Sequence, residues 1–294
     1  MANRKRISKF LWLACLFFSC EAEESPPAQV PDTAEPPAVN MAMMCDPATY
    51  DLACLQSEET SVSDGILDVL GEIRDEFVDD VGEEVSDARQ DQYGDEMRSE
   101  LEKQFPVIRN HPQQKKLEGI MRKLNRVRTH PSQIDYNIYV VRAAQPNAFT
   151  LGGEIFVTTR LLDEAESLDE IACIIGHEIG HNELGHIARR IKQQELIEGV
   201  FGQEAGAVIA DVASFITMGF NQRSEAEADI YGIDLALSSG YEACRGIDFW
   251  ERIKRSERAE NELDNLLRSH PYSGKRIKCY RDHLRDHHQH NCPN

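Results

Sequence analysis

The sequence predicts an α+β fold that is mainly helical, with one small sheet beside its central helix. Three observations carry this. Apolar residues recur at helical spacing in two runs, Ile171, Ile174, Ile175, Ile179, Leu184, Ile187 and Ile230, Ile233, Leu235, Ala236. Two short β-type runs, residues 134–141 and 154–158, are bounded by the turn residues Pro146, Gly152 and Gly153. An acidic stretch, residues 64–102, sets Asp75, Glu76, Asp79, Asp80, Glu83 and Glu84 behind apolar positions at helical period. That pattern reads as a solvated helix face leading into the domain, and it could also repel acidic substrates. A chain of 294 residues can bury one good core, which we place at residues 59–294.

What precedes residue 59 reads as export and tether. Arg4, Lys5, Arg6 and Lys9 form a basic start, and the apolar run at residues 10–19 is too short to span a bilayer, so residues 1–19 read as a secretory signal peptide. Ser19-Cys20 supplies the small residue before cysteine that a lipoprotein signal peptidase requires, although Phe17 stands where leucine is usual. The reading is an exported, periplasmic lipoprotein, anchored through Cys20 to the outer membrane; the alternative is ordinary cleavage and a soluble secreted protein. Residues 20–58, rich in proline and acid around Pro26, Pro27, Pro31, Pro36 and Pro37, read as a disordered tether.

Chemistry enters at His177-Glu178-Ile179-Gly180-His181. On a helix, histidines at i and i+4 share one face and can hold a single Zn²⁺, while Glu178 becomes the general base for a water at the open fourth position. The helix is predicted by a capping box at Ser167-Leu168-Asp169-Glu170 and by the apolar stripe that follows. Gly176 and Gly180 each cost roughly 1 kcal/mol against alanine. Their presence therefore predicts close packing by a neighbouring element or by substrate.

A catalytic zinc needs a third protein ligand. Metzincins place a histidine where this chain has Ile187, so that reading fails, and His186 is one residue out of register, a packing or hydrogen-bonding residue. The remaining source is Ser224-Glu225-Ala226-Glu227-Ala228-Asp229, which opens a helical run that Gly240 ends. Glu225 and Asp229 share a face, so Glu225 can reach the metal while Asp229 orients a ligand imidazole. Glu227 points elsewhere and reads as a solvated surface carboxylate.

HEIGH at 177–181 followed by ExEAD at 225–229 resembles the HtpX, BepA and CAAX-prenyl-protease group of gluzincin metallopeptidases. The likeness runs over residues 85–290, with residues 90–124 similar to that family's helical lead-in. Asn147, Ala148 and Phe149 with Gly152 and Gly153 look like the family's hairpin beside the active site, where substrate backbone is expected to pair. Ser269-His270-Pro271 and Arg276 resemble a further family signature, which implies that His270 and Arg276 line the site. His270 would either stabilise the tetrahedral intermediate or cap the zinc in a resting form. Arg276 could equally be a surface salt-bridge residue. Phe220-Asn221-Gln222 departs from the family's aromatic-Ser-Arg triplet, with Arg223 shifted by one.

The family's transmembrane helices are missing: Glu198, Glu204 and Asp211 interrupt residues 197–220, which read as soluble helices. The chain thus resembles the small single-domain periplasmic, LoiP-like members. The resemblance implies a minimal gluzincin domain with one Zn²⁺ per chain. It also implies a zinc endopeptidase that cleaves unfolded or misassembled cell-envelope proteins in protein quality control. The alternative is a zinc-containing chaperone-like or autoinhibited binding protein with little proteolysis.

Cysteines agree with export. Cys45 with Cys54 is a plausible local bridge, Cys244 with Cys279 or Cys292 would staple the C-terminal segment, and Cys173 reads as a buried thiol. Lys+Arg 32 against Asp+Glu 51 gives a net charge of −19, which argues against nucleic acid as a partner. His283, His287, His288 and His290 read as a solvated tail, with weak metal binding as the alternative.

Overall fold

Two helices crossing through glycine set the frame on which the rest is built. The computed structural model describes residues 50–56, 78, 80, 84–129, 131–201, 219–257, 269–271 and 274–293. In chain order its elements are a 3₁₀ turn (Ala53–Gln56), α1 (Asp87–Gln104), α2 (Gln114–Arg126), β1 (Asn137–Val141), β2 (Ala148–Leu151), β3 (Glu154–Thr158), α3 (Thr159–Glu164), α4 (Leu168–Glu183), α5 (His186–Phe201), α6 (Gln222–Ser238), α7 (Cys244–Glu257) and α8 (Gly274–His288). The mainly helical α+β expectation holds. The signal peptide, Cys20, Cys45, most of the tether and most of residues 197–220 lie outside the described residues. Among the described residues, no helix is long and apolar enough to cross a membrane.

β3 is the middle strand, parallel to β1 and antiparallel to β2. Because side chains alternate across a strand, Ile155 and Val157 face one core with Leu117, Leu124 and Ile175, while Phe156 faces another with Tyr93, Leu101 and Ile191. The sheet is therefore sandwiched, with α2 and α4 on one face and α1 and α5 on the other. A two-residue turn joins β2 to β3, with Gly152 at φ 53° and Gly153 at φ 92°. A Cβ on Gly152 would lie 1.9 Å from the Gln90 carbonyl oxygen, so no side chain fits there.

Ser167 caps α4, its Oγ accepting from the Glu170 N–H at 3.2 Å. The return half of the expected capping box goes one residue further back, where Glu170 Oε2 accepts from the Glu166 N–H at 2.9 Å. Gly185, at φ 75°, ends the helix, so Ile187 belongs to α5 and the apolar stripe is split between two helices. α4 meets α6 where a Cβ on Gly176 would come within 2.7 Å of the Gly232 oxygen and one on Gly232 within 2.6 Å of the His177 nitrogen. The close packing expected of Gly176 is thus supplied by a second helix. Gly232→Ala forces the helices apart and should cost roughly 1–3 kcal/mol in chemical denaturation. An unchanged midpoint would mean that the crossing has slack.

The C-terminal segment departs from expectation. Cys54 pairs with Cys279, not with Cys45, because the Ala53–Gln56 turn packs Cys54 against Cys279 and Ala226, with Leu52 and Leu55 alongside. The docked segment thus begins inside the stretch read as tether. Cys244 pairs with Cys292, one of the two partners expected. The histidines read as a tail lie on or just beyond α8, and His283 and His288 turn inward onto Asp234.

Candidate active site

α4 brings His177 and His181 to one face with their Nε2 atoms 3.0 Å apart. The glycine crossing lays α6 alongside, so the Glu225 carboxylate comes within 3.5 Å of both Nε2 atoms. His270 takes the fourth corner, its Nδ1 3.2 Å from His177 Nε2 and 3.2 Å from Glu225 Oε1. All four side chains are buried, and their potential ligand atoms lie within 4.8 Å of one another. Glu225 Oε2 is buried and 2.9 Å from Arg276 Nη1, yet it receives no aligned hydrogen bond among the described residues. A buried carboxylate oxygen with a lone pair left over, facing two imidazoles, fits a divalent cation. Glu178 stands outside this group, its Oε1 3.4 Å from His270 Nε2.

The charges suit the same use. Burial holds the His181 imidazole well below the ordinary histidine range, so the ring is neutral with a lone pair to give. Burial alone would raise Glu225, but the Arg276 guanidinium and His270 hold it well below the usual carboxylate range. Burial raises Glu178, against the pull of His270 and His177, the direction a general base working near neutral pH needs.

Each imidazole on α4 is oriented from behind. His177 Nδ1 lies 2.9 Å from Asp229 Oδ1, and Arg276 grips Asp229 with Nε at 2.8 Å and Nη2 at 2.9 Å. A proton on His177 Nδ1 leaves Nε2 free toward the cluster. His181 is reached through an intermediary: its Nδ1 is 3.0 Å from His186 Nδ1, and His186 Nε2 is 3.3 Å from Glu227 Oε2. Glu227 is therefore not a solvated surface carboxylate. It anchors His186, the hydrogen-bonding residue expected, and is itself held by Arg223 Nε at 2.9 Å. Phe220 stacks on His181 at 3.9 Å between ring centres, with Arg190 over its other face at 3.7 Å. Sequence reasoning missed the roles of Glu227 and Phe220. The pairing of HEIGH with a histidine five residues on was the available signal.

The residues read as substrate-binding separate into different places. Asn147 Oδ1 accepts from Ser269 Oγ at 3.2 Å, and the Ala148 carbonyl accepts from His270 Nε2 at 3.2 Å, so this end of the hairpin holds the His270 segment. Phe149 stacks on Phe156 at 5.2 Å within the α1-side core. Gly152 and Gly153 form a buried turn, Gly152 against Gln90 and Gly94 of α1 and Gly153 against Asp135 and Ile134, which leaves them no surface for a substrate. Arg276 is neither exposed nor open to a substrate: it is buried, binds Asp229 and Glu225, and donates to the Pro271 carbonyl at 2.8 Å. Beside Glu178 a cavity of about 20 Å³ is lined by Leu161, Ile174 and Trp250, room for about one water. Cys173 borders it, but burial pushes its thiol up to about 12, which makes it no nucleophile.

The Arabidopsis thaliana mitochondrial metalloendopeptidase OMA1 is 31% identical over 156 residues, which cover 51% of this chain and 32% of that protein. Metalloprotease LoiP of Escherichia coli K12 is 27% identical over 214 residues, 68% of this chain and 82% of LoiP. The putative beta-barrel assembly-enhancing protease of Vibrio cholerae is 26% identical over 215 residues, 66% of this chain and 43% of that protein. The chain thus spans about a third of the first, under half of the third, and most of LoiP. The model of peptidase family M48 matches residues 111–283, more than half of the chain, from just before α2 into α8. The chain belongs to peptidase family M48, a family of metal-dependent peptidases.

Proposed function

We propose that this protein is a zinc-dependent endopeptidase that cleaves unfolded or misassembled cell-envelope proteins, with His177, His181 and Glu225 holding the metal and Glu178 as general base. The observation that carries the reading is the convergence of two α4 imidazoles and one α6 carboxylate, with the Glu178 carboxylate beside them and outside the ligand group. Bound Zn²⁺ would polarise the scissile carbonyl and lower the pKa of a water toward about 7. Glu178 takes the proton of the attacking water and passes it to the leaving amine nitrogen. Asp229 and Arg276 keep His177 turned to the cluster, and His186 with Glu227 does the same for His181. The envelope assignment draws on the similarity to LoiP and to the beta-barrel assembly-enhancing protease. A lipid on Cys20 would keep the domain within reach of such substrates. Cleavage of reduced casein by the purified protein should be lost after chelation and return with stoichiometric zinc. Activity that survives full metal removal would sink the reading.

His270 supports a latent resting state. It fills the fourth corner and occupies the carbonyl of Ala148 on β2, an edge strand, and the space beside Glu178 admits one water. A substrate strand pairing with β2 would compete for that carbonyl and help withdraw the histidine. Removing two or three polar contacts of about 0.5–1.5 kcal/mol each should raise casein cleavage by His270→Ala roughly 10- to 100-fold. A collapse of activity instead would make His270 part of the catalytic machinery. No cleavage by wild type or variant, with zinc bound to both, would favour the chaperone-like alternative.

A further inference from the structure

α8 ends in a second cluster of metal-type side chains that the mechanism does not use. Asp234 lies further along α6 than Asp229, and two imidazoles from α8 meet its carboxylate: His283 Nε2 at 2.8 Å and His288 Nε2 at 2.7 Å from the same oxygen, Oδ1. The Asp234 and His283 residues are 1% and 7% exposed, and the His288 side chain 7%, so the meeting point is enclosed. Each imidazole spends its Nε2 there, and among the described residues neither Nδ1 has a hydrogen-bond partner. The two rings are thus aimed at one point; His283 also stacks on His287 at 4.7 Å, and among the described residues no second hydrogen bond holds either ring.

We propose that Asp234, His283 and His288 form a second metal site, distinct from the HExxH cluster, that binds a divalent transition-metal cation of the zinc class. Two imidazoles and one carboxylate are the donor set that zinc and its transition-metal neighbours take, whereas magnesium and calcium call for oxygen ligands. With bonds of about 2.0–2.2 Å, ligand atoms around one tetrahedral zinc lie about 3.3 Å apart. The three atoms here need to spread by about half an ångström to reach that spacing, and the His177–His181 pair stands nearly as close, at 3.0 Å. Of the three ligands, His283 also borders a cleft of about 320 Å³, whose rim carries Asp51, Asp282 and Asp286 together with Lys278 and Arg285. Such a cation would tie α8 to α6 at the far end of a helix pair that Arg276, Glu225 and Asp229 already join at the other. The third cluster, Glu242, Cys244 and His290, is not equivalent, because Cys244 is in a disulfide.

The test is a count of bound metal on the full chain. Protein stripped with chelator, reloaded with excess Zn²⁺ and desalted should carry two zinc ions by elemental analysis. The double variant His177→Ala/His181→Ala should keep one, and adding Asp234→Asn should remove it. Co²⁺ in place of zinc should give the double variant a d–d absorption that Asp234→Asn abolishes. One zinc on wild type and none on the double variant overturns the proposal. So does a second zinc that persists in a folded Asp234→Asn or His283→Gln/His288→Gln protein, as judged by near-ultraviolet circular dichroism. The wild-type count needs no substitution, so a variant that fails to fold does not protect the idea. Because the readout is metal content, the result stands whether or not the HExxH cluster hydrolyses casein.

Discussion

Glu178→Gln should lower casein cleavage roughly 10²- to 10⁴-fold, the span usual for loss of a positioned general base, while leaving the metal content unchanged. Glutamine keeps the volume and the neighbours of the side chain, so folding should survive the change in a position that is only 2% exposed. What it loses is the carboxylate that accepts the proton. Metal content is the discriminating readout because Glu178 stands outside the group of His177, His181, Glu225 and His270. Cleavage that persists within a few-fold of wild type would assign the base elsewhere. Lost metal together with lost cleavage would show that Glu178 had shaped the site and left its chemistry untested.

Replacing Arg276 should be the most damaging single change to stability near the site. Its guanidinium is buried and meets two carboxylates at once, Asp229 through Nε and Nη2 and Glu225 through Nη1 at 2.9 Å. Arg276→Ala leaves both as buried anions without that counter-charge, a loss of about 3–5 kcal/mol. The melting temperature of metal-free protein should fall by on the order of 10 °C for a domain of this size. Arg276→Lys should recover little, since an ammonium cannot reproduce the two-pronged grip on Asp229. Melting within a degree or two of wild type would mean that water or another cation satisfies these carboxylates when the arginine is absent.

The parts of the site legible in the sequence are those whose geometry is local. His177 and His181 share a face because helix periodicity dictates it, and so do Glu225 and Asp229. Capping at Ser167 and the hairpin glycines follow equally short-range rules. What escaped depends on which helix lies against which. Nothing in the spacing of Arg276 says that it reaches across to α6, and nothing near Glu227 says that His186 will lie against it. Asp234 looks like any helical carboxylate until α8 folds back on it. The same holds for Cys54, whose near neighbour Cys45 is a better guess from sequence than Cys279, its partner across the fold. The hairpin itself forms where its turn residues place it. Alternation along β2 sends Phe149 into the core, and the turn beyond it is sealed between α1 and the segment of Ile134 and Asp135.

The bridge from Cys54 to Cys279 also bears on what happens to a protease exposed to its own activity or to that of its neighbours. It spans 225 residues of sequence, and His177, Glu178, His181, Glu225 and His270 all fall within the ring it closes. A single nick anywhere in that ring opens the circle without dividing it. The two pieces remain one molecule, and each half of the cluster keeps its covalent path to the other. For a nick before Cys244, reduction of this bridge is what turns the cut into a separation; for one beyond Cys244, the Cys244–Cys292 bridge must be reduced as well, so the endurance of a cut chain depends on how oxidising its surroundings are.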